Sequence, residues 1–260
     1  EAFMNFLVAN PFGIGDVLFS LPLVQALRQQ NPEAKITFLC NRRTEELVSS
    51  WPELNQTLVF EKDEFKEAWK RSKREGFSLL SGLMRTLRAG QYDVLVDLSL
   101  SGQIAFSGWL AGIPKRVGFD FRERGRFLTR RLTLQGFHTQ PVADYYLDLL
   151  PLLGQTRPRQ AHLQMSLPKS VARQATQLLQ SAGILPEQNC IALVPGGGAS
   201  WGPNAIYKQW PANRFAQAGK WLAEQTGAQI LLLGDAQEEH LCKKVAQGIP
   251  SGSAKIIQVD

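Results

Sequence analysis

The sequence predicts an α/β protein of two domains, each built around a parallel β-sheet. Short apolar runs typical of buried strands alternate with amphipathic helical stretches, a pattern that implies parallel strands joined by helical crossovers. The alternation stops at a polar, proline-containing segment, residues 154–159, and then starts again. Because 260 residues also exceed the usual size of one domain, we predict Rossmann-like domains over residues 1–158 and 159–260.

The first domain opens with a strand, a Pro/Gly-rich loop and a helix. Residues 5–9 form an apolar run, and the apolar positions from Val17 to Leu27 recur at helical spacing until Asn31-Pro32 ends the helix. The predicted elements that follow are a strand at 35–40, a helix at 44–50 with Thr44 as its cap, a strand at 56–60, a helix at 64–88 that Gly76 and Gly82 interrupt, a strand at 94–96, and a helix at 141–153.

The second domain repeats the alternation over fewer elements. Its predicted helices lie at 169–182, 211–225 and 238–247, and its predicted strands lie at 190–194, 229–233 and 256–259. An open doubly wound sheet usually has five or six strands. With about three, the second domain is expected to be incomplete in this chain.

Composition and cysteine usage narrow the class of protein. The chain is 44% hydrophobic and 20% charged, an ordinary globular composition. Its three cysteines lie far apart and form no Cys-x-x-Cys pair, which favours neither a disulfide framework nor a zinc site. No apolar run approaches the length of a membrane helix, and the first residues do not resemble a signal peptide. These features predict a cytoplasmic protein.

The net charge of +6 is concentrated in one stretch, residues 115–131. That stretch contains seven basic residues and two acidic residues, Asp120 and Glu123, which is an excess of five positive charges. Such a stretch favours an anionic partner: nucleic acid, an anionic membrane face or a phosphorylated substrate. The alternative is a positively charged, solvated loop region with no partner.

The first candidate site is the loop between the first strand and the first helix. Gly13, Ile14 and Gly15 let the backbone approach a ligand, and the helix start favours negative charge. Asp16 has two interpretations: a helix cap, or a functional carboxylate at the carboxyl end of a parallel sheet. The third glycine of the dinucleotide fingerprint is replaced by Leu18, which argues against a Rossmann dehydrogenase.

Two further loops lie in the second domain. Gly196, Gly197, Gly198, Ser200 and Lys208 can surround a phosphate with backbone N–H groups, a hydroxyl and an ammonium, although the same glycine cluster could be a flexible turn. After the next strand come Asp235, Glu238 and Glu239, suited to accept hydrogen bonds from ribose hydroxyls or to offset a helix dipole.

No metal site is predicted. His138, His162 and His240 do not cluster or match a metal-ligand spacing, and no Asp-x-Asp pair occurs. We therefore expect neither a tightly held metal nor a tightly bound cofactor.

Taken in order, several of these segments resemble the ADP-heptose:lipopolysaccharide heptosyltransferases, glycosyltransferase family 9. The resemblance extends over nearly the whole chain. The matching stretches are Gly15-Asp16-Val17-Leu18 with Leu21-Pro22, Tyr92-Asp93-Val94-Leu95-Val96-Asp97-Leu98, Arg116-Val117-Gly118-Phe119, Pro195-Gly196-Gly197 and Lys208-Gln209-Trp210-Pro211.

The resemblance implies a glycosyltransferase B fold, with two Rossmann-like domains facing a cleft, and an inverting, metal-independent transfer. An ADP-sugar would be the donor substrate, held mainly by the second domain, while the first domain binds the acceptor. By the same resemblance Asp16 matches the proposed general base, Lys208 a lysine that contacts the donor phosphates, and Glu238 a ribose-binding glutamate.

The acceptor implied by the resemblance is an anionic lipid-linked oligosaccharide at the inner membrane face. We therefore expect Arg122, Arg124 and Arg126 of the basic stretch to face that acceptor and the membrane surface. The expected protein is a monomer that contacts the membrane peripherally and binds no nucleic acid.

Two departures from the family pattern stand out. Asn204-Ala205-Ile206-Tyr207 is inserted before Lys208, and the chain ends at Asp260, before the family's Asp-Ser-Gly-x-x-His segment, so part of the donor site is expected to be missing. Two alternatives remain open: a nucleotide-sugar epimerase or hydrolase on the same fold, and a non-catalytic nucleotide-sugar-binding module.

Overall fold

A computed structural model of the chain describes residues 4–165, 167–196, 207 and 209–259, without the side chains of residues 62, 63 and 66. The chain divides into two compact units, residues 1–166 and 167–260. The segment after 158 packs with the first unit, because Ala161 and Met165 contact its core and the Gln164 carbonyl accepts a hydrogen bond from Gln25.

The first unit contains a sheet of six parallel strands in the order β3-β2-β1-β4-β5-β6. This is the doubly wound order, in which the chain builds outward in both directions from the first strand. The strands are β1 (Asn5–Ala9), β2 (Lys35–Cys40), β3 (Gln56–Val59), β4 (Val94–Asp97), β5 (Lys115–Phe121) and β6 (Arg130–Leu134).

Helices connect these strands and enclose an apolar core on each face of the sheet. The central strands β1, β2 and β4 are almost wholly buried, as their uninterrupted apolar runs predict. The helices are α1 (Ile14–Phe19), α2 (Leu21–Gln30), α3 (Arg42–Ser49), α4 (Lys62–Arg71), α5 (Lys73–Ala89), α6 (Gln103–Leu110) and α7 (Val142–Leu147), with a 3₁₀ helix at Leu150–Leu153.

Two of the predicted helices are each divided at a serine. α1 and α2 separate at Ser20, because Pro22 has no N–H to continue the helical hydrogen bonds. α4 and α5 separate at Ser72, whose hydroxyl accepts from the Arg74 amide. The predicted interruptions are wrong, since α5 continues through both Gly76 and Gly82. A Cβ at Gly76 would collide with the Trp69 ring, so this glycine allows α4 and α5 to pack closely.

The basic stretch is a loop only in its middle part, residues 122–129. Lys115 and Arg116 begin β5, Arg130 and Arg131 begin β6, and the two strands pair in parallel. The sequence did not predict these strands or α6. The cap of α3 also differs from the prediction, since the Asn41 side chain, and not Thr44, accepts the hydrogen bond, which the Thr44 amide donates.

The second unit has three parallel strands in the order β7-β8-β9. Its core lies between β8 and the helices α9 and α10, around Ile230, Leu232, Cys242 and Val245. The elements are α8 (Lys169–Ser181), β7 (Cys190–Leu193), α9 (Ala212–Thr226), β8 (Gln229–Gly234), α10 (Glu239–Ala246) and β9 (Ala254–Gln258). Each strand that the sequence predicts is present, and the α/β class with parallel sheets is confirmed.

Candidate functional site

The carboxyl ends of β1 and β4 define the candidate site of the first unit. β1 pairs with β2 on one side and with β4 on the other, so the direction in which the chain builds the sheet reverses between β1 and β4. In open α/β sheets, ligands bind in the crevice outside the strands at this point. The loops at 10–13 and 98–102 leave the sheet there.

Asp16 lies on this edge as an exposed residue in the first turn of α1. Gly13 occupies the N-cap position of that helix, and no side chain makes a cap hydrogen bond. The interpretation of Asp16 as the helix cap is therefore wrong. Its carboxylate is placed where the crevice opens, and nearby Gly13 has no side chain to cover it.

Two buried polar residues lie near the Asp16 turn. Asn10, at 0% exposed, donates from Nδ2 to the Asp16 backbone carbonyl over 2.9 Å. Tyr146 of α7 is 2% exposed, and its burial, reinforced by the negative charge of Asp16, raises the pKa of the phenol. Tyr146 thus remains a neutral phenol close to the Asp16 carboxylate. Sequence reasoning missed it because nothing local connects it to a loop 130 residues earlier.

A second carboxyl lies at the end of β4. Asp97 is 4% exposed and accepts a hydrogen bond from the Ser99 amide at 2.9 Å. Burial raises the pKa of this carboxyl, while its hydrogen bonds with Ser99 oppose the shift. Gly118 of β5 pairs with Asp97 in register, and a Cβ there would collide with the Asp97 carbonyl. The sequence signal was available: an aspartate that ends an apolar strand.

The turn between β5 and β6 carries the three arginines singled out in the sequence. Arg124 and Arg126 line a groove of about 440 Å³ together with Gly102 of the loop that follows β4 and Gln103, the first residue of α6. The guanidinium of Arg126 stacks on Phe127 at 4.6 Å from the ring centre. Arg122 stacks on the neighbouring Phe121 at 5.0 Å and does not line this groove. Two of the three arginines therefore lie beside the β4 end of the sheet.

The other four basic residues of the stretch hold the first unit together. Arg116 donates to the carbonyls of Phe127 and Ile113, and burial lowers the pKa of its guanidinium. Lys115 and Arg130 donate to carbonyls at the end of the 3₁₀ helix, and Arg131 pairs with Asp120 at 3.4 Å. The charge excess is therefore largely structural outside the turn.

In the second unit, the glycine loop and the acidic cluster meet. Gly196 follows β7, and a Cβ there would collide with the Glu238 carboxylate, which thus lies against the loop backbone. Asp235 Oδ1 accepts from the amides of Gln237 and Glu238 at 2.8 and 2.9 Å, and so shapes the turn that carries Glu238. The structure brings Gly196 and Glu238 together; Gly197, Gly198, Ser200 and Lys208 lie outside the described residues.

Comparison with known families decides the classification. The model of glycosyltransferase family 9 (heptosyltransferase) matches residues 81–257, more than half of the chain. The chain belongs to glycosyltransferase family 9. The predicted family is therefore confirmed.

A curated relative supports the same assignment. Lipopolysaccharide heptosyltransferase 3 of Escherichia coli is 24% identical over 240 residues, which are 90% of this chain and 65% of that protein. This family 9 chain thus spans less than two thirds of that relative's length.

Solved structures show that the fold is shared. A family 9 glycosyltransferase from Veillonella parvula superposes with a TM-score of 0.79 at 20% identity, covering 98% of this chain and 69% of that one. The E. coli heptosyltransferase WaaC with ADP-2-deoxy-2-fluoro heptose superposes with a TM-score of 0.73 at 19% identity, covering 98% and 77%. These neighbours confirm the glycosyltransferase B fold class.

The described residues contain neither a cluster of metal ligands nor a membrane-spanning helix. Among the residues that the structure describes, no group of three or more His, Cys, Asp or Glu side chains could hold a metal ion. Within the same ranges, no helix combines the length and the apolar character needed to cross a bilayer.

Proposed function

We propose that this family 9 chain transfers a heptose, or a related sugar, from an ADP-sugar to a lipopolysaccharide core acceptor. Membership of the heptosyltransferase family supports the reaction class. The observation that carries the proposal is the carboxylate of Asp16, exposed at the carboxyl edge of the sheet above buried Asn10 and Tyr146. A general base requires this combination of an accessible carboxylate and a rigid support.

In the proposed reaction, Asp16 accepts the proton of an acceptor hydroxyl while that oxygen attacks the anomeric carbon of the donor. The new glycosidic C–O bond forms as the bond from the anomeric carbon to the diphosphate oxygen breaks, and ADP departs with the electron pair. Attack opposite to the leaving group inverts the anomeric configuration. No metal ion takes part, since cationic and N–H groups of the protein stabilise the diphosphate.

The second unit supplies the proposed donor contacts. Gly196, Gly197 and Gly198 offer backbone N–H groups, Ser200 a hydroxyl and Lys208 an ammonium to the diphosphate. Glu238 accepts hydrogen bonds from the ribose. Its position against Gly196 supports this assignment, because one nucleotide would then contact both loops. The E. coli heptosyltransferase solved with an ADP-heptose analogue supports an ADP-sugar as the donor.

The proposed acceptor is anionic and lipid-linked, and the protein acts as a monomer on the cytoplasmic face of the inner membrane. The arginines of the β5–β6 turn support an anionic acceptor, because Arg124 and Arg126 line the groove beside the β4 end. Arg122, exposed on the same turn, adds to the positive field.

Product analysis tests the proposal. The full-length protein is incubated with a panel of nucleotide-sugars, with and without lipopolysaccharide core acceptors, and the products are identified by mass spectrometry. Heptosyl addition to the acceptor, dependent on the ADP-sugar, is expected. Conversion of the nucleotide-sugar without acceptor would instead identify an epimerase or hydrolase, and binding without turnover would identify a non-catalytic module.

A further inference from the structure

One face of the first unit exposes large apolar side chains that no described segment covers. They belong to α4, α5 and α6, and we call them the aromatic face. Its members are Trp69, Phe77, Phe106, Trp109 and Leu110, with 42, 60, 36, 51 and 39% of their surfaces exposed. Exposed apolar residues scattered singly are ordinary, whereas a contiguous group marks an interaction surface.

The aromatic face is continuous across three adjoining grooves. Phe77 lines the first groove and Trp69 lines the second, and Leu80 belongs to both. Phe106 likewise belongs to both the second groove and the third, which lies beside the arginine turn. The rings also contact one another: Trp69 lies 5.1 Å from Phe77, and Phe106 lies 5.8 Å from Trp109, measured between ring centres.

Positive charge surrounds these side chains. The basic residues that line the three grooves are Lys70, Arg85, Arg88, Arg124 and Arg126. Glu123 is the single acidic residue among the lining residues. No ion pair among the described side chains engages any of these five cations. Five positive charges and one negative charge therefore line the grooves around the aromatic rings.

We propose that the aromatic face docks on the surface of an anionic lipid bilayer. Tryptophan and phenylalanine rings bury favourably at the boundary between headgroups and acyl chains, while arginine and lysine extend to anionic headgroups. A second copy of this chain fits the face poorly, because two-fold pairing would bring the same basic rims together.

The location of the face connects docking to the proposed reaction. The arginine-lined groove includes Gly102 and Gln103, which follow β4 at the edge of the sheet where the acceptor is proposed to bind. A bilayer on this face would present a lipid-linked acceptor beside that edge. This inference rests on the proposed function for the identity of the acceptor, but docking itself can be measured with lipid alone.

Vesicle flotation tests the docking of the full-length protein. The parent, a Phe77→Ser/Trp109→Ser variant and a Trp221→Ser control are mixed with vesicles of phosphatidylcholine alone or with added phosphatidylglycerol. Trp221 is a matched control because it is a tryptophan 60% exposed on a helix of the second unit. We expect the parent and the control to partition onto the anionic vesicles, and the double variant to bind on the order of tenfold less.

A second variant and a second assay keep the outcomes distinct. Arg85→Gln/Arg88→Gln should weaken binding to anionic vesicles and reduce its dependence on salt, with unchanged thermal unfolding. The Phe77→Ser/Trp109→Ser variant should keep the parental rate with a water-soluble, delipidated acceptor. If both variants bind vesicles as strongly as the parent, the docking proposal is overturned. It is also overturned if the parent proves to be a dimer in solution and these substitutions dissociate that dimer. Transfer to the soluble acceptor without vesicle binding would overturn docking alone and leave the proposed function standing.

Discussion

The two units use the same strand–loop–helix motif in different surroundings. In the first unit, β1 is hydrogen-bonded on both sides and is buried from Phe6 to Ala9. In the second, β7 pairs with β8 alone among the described strands, and its side chains alternate between exposed and half-buried. The loop after β1 therefore leaves a core, whereas the loop after β7 leaves a partly exposed strand.

This difference determines how each candidate side chain is supported. Asn10 holds the Asp16 backbone carbonyl, and Tyr146 lies close to the Asp16 carboxylate; both residues are buried in the core. Glu238 is positioned by the Asp235 turn and by contact with the backbone of Gly196. The comparison indicates that the proposed base is held by packing, and that the proposed donor contact is held by a local turn. Four sets of substitutions test or refine it.

The largest effect is expected at the proposed base. Asp16→Ala should lower turnover by roughly 10²–10⁴-fold, the usual range for a lost general base. The reason is that α1 contains no second carboxylate that could accept the proton instead. Since Gly13, and not Asp16, is the N-cap residue of α1, the substitution removes no helix cap, and the melting temperature should change far less than turnover. Steady-state kinetics and calorimetry measure the two effects. Glu45→Ala, also in the first turn of a helix, is the matched control; near-normal turnover of Asp16→Ala would remove the base assignment.

The next effect concerns donor binding by the second unit. Lys208→Ala should weaken ADP-sugar binding by roughly 1.5–3 kcal/mol, the contribution of a charge-assisted hydrogen bond. Lys208→Arg should restore it only in part, since a guanidinium differs in reach and geometry. Titration calorimetry with an ADP-sugar measures both. If the alanine variant binds the donor like the parent, Lys208 is an ordinary surface residue.

Two glycine-to-alanine substitutions compare the units directly. At Gly118 a Cβ meets the Asp97 backbone between paired strands, so the sheet itself must shift, at a cost of about 1–3 kcal/mol. At Gly196 the nearest atoms that a Cβ would meet belong to the carboxylate of Glu238, the far end of a flexible side chain, so the cost should be below about 1 kcal/mol. Scanning calorimetry of both variants measures the difference. Equal destabilisation would contradict the proposed contrast between packing and local support.

The smallest effect is expected at the arginine turn. Replacing Arg122, Arg124 and Arg126 by Gln should raise the acceptor KM and leave donor affinity unchanged. Binding to anionic vesicles should weaken by roughly tenfold, about 1.4 kcal/mol in total, because each cation near an anionic surface contributes at most about 1 kcal/mol and screening lowers the sum of the three. Raising salt should likewise weaken acceptor use more than donor binding. A charge-matched replacement of Lys220, Lys243 and Lys244 in the second unit is the control. If both triple variants behave alike, the turn has no special role.

The sequence predicted much of the fold and only part of the site. The strands with continuous apolar runs, such as 35–40 and 229–233, were found because burial on both faces leaves a local signal. β5 and β6 were missed because both strands begin with basic residues, which hide the apolar pattern. The partners of these basic residues, including Asp120 and the carbonyls of the 3₁₀ helix, are distant in sequence. Asp16 was singled out from its place after a strand and from the family resemblance, and its role as a base stays a prediction, as do the roles of Lys208 and its neighbouring loop.

By itself, the sequence determined the α/β class, the alternation of elements in both units, and the family, because periodicity and motif spacing are local properties of a chain. Only the tertiary structure decided that Tyr146 lies near Asp16, that Asp97 is buried beside Gly118, and that Gly76 is a helix contact and not a break. Each of these depends on which side chains from separate elements meet, and on the desolvation that follows when they pack. Neither is encoded in the spacing of residues along the chain.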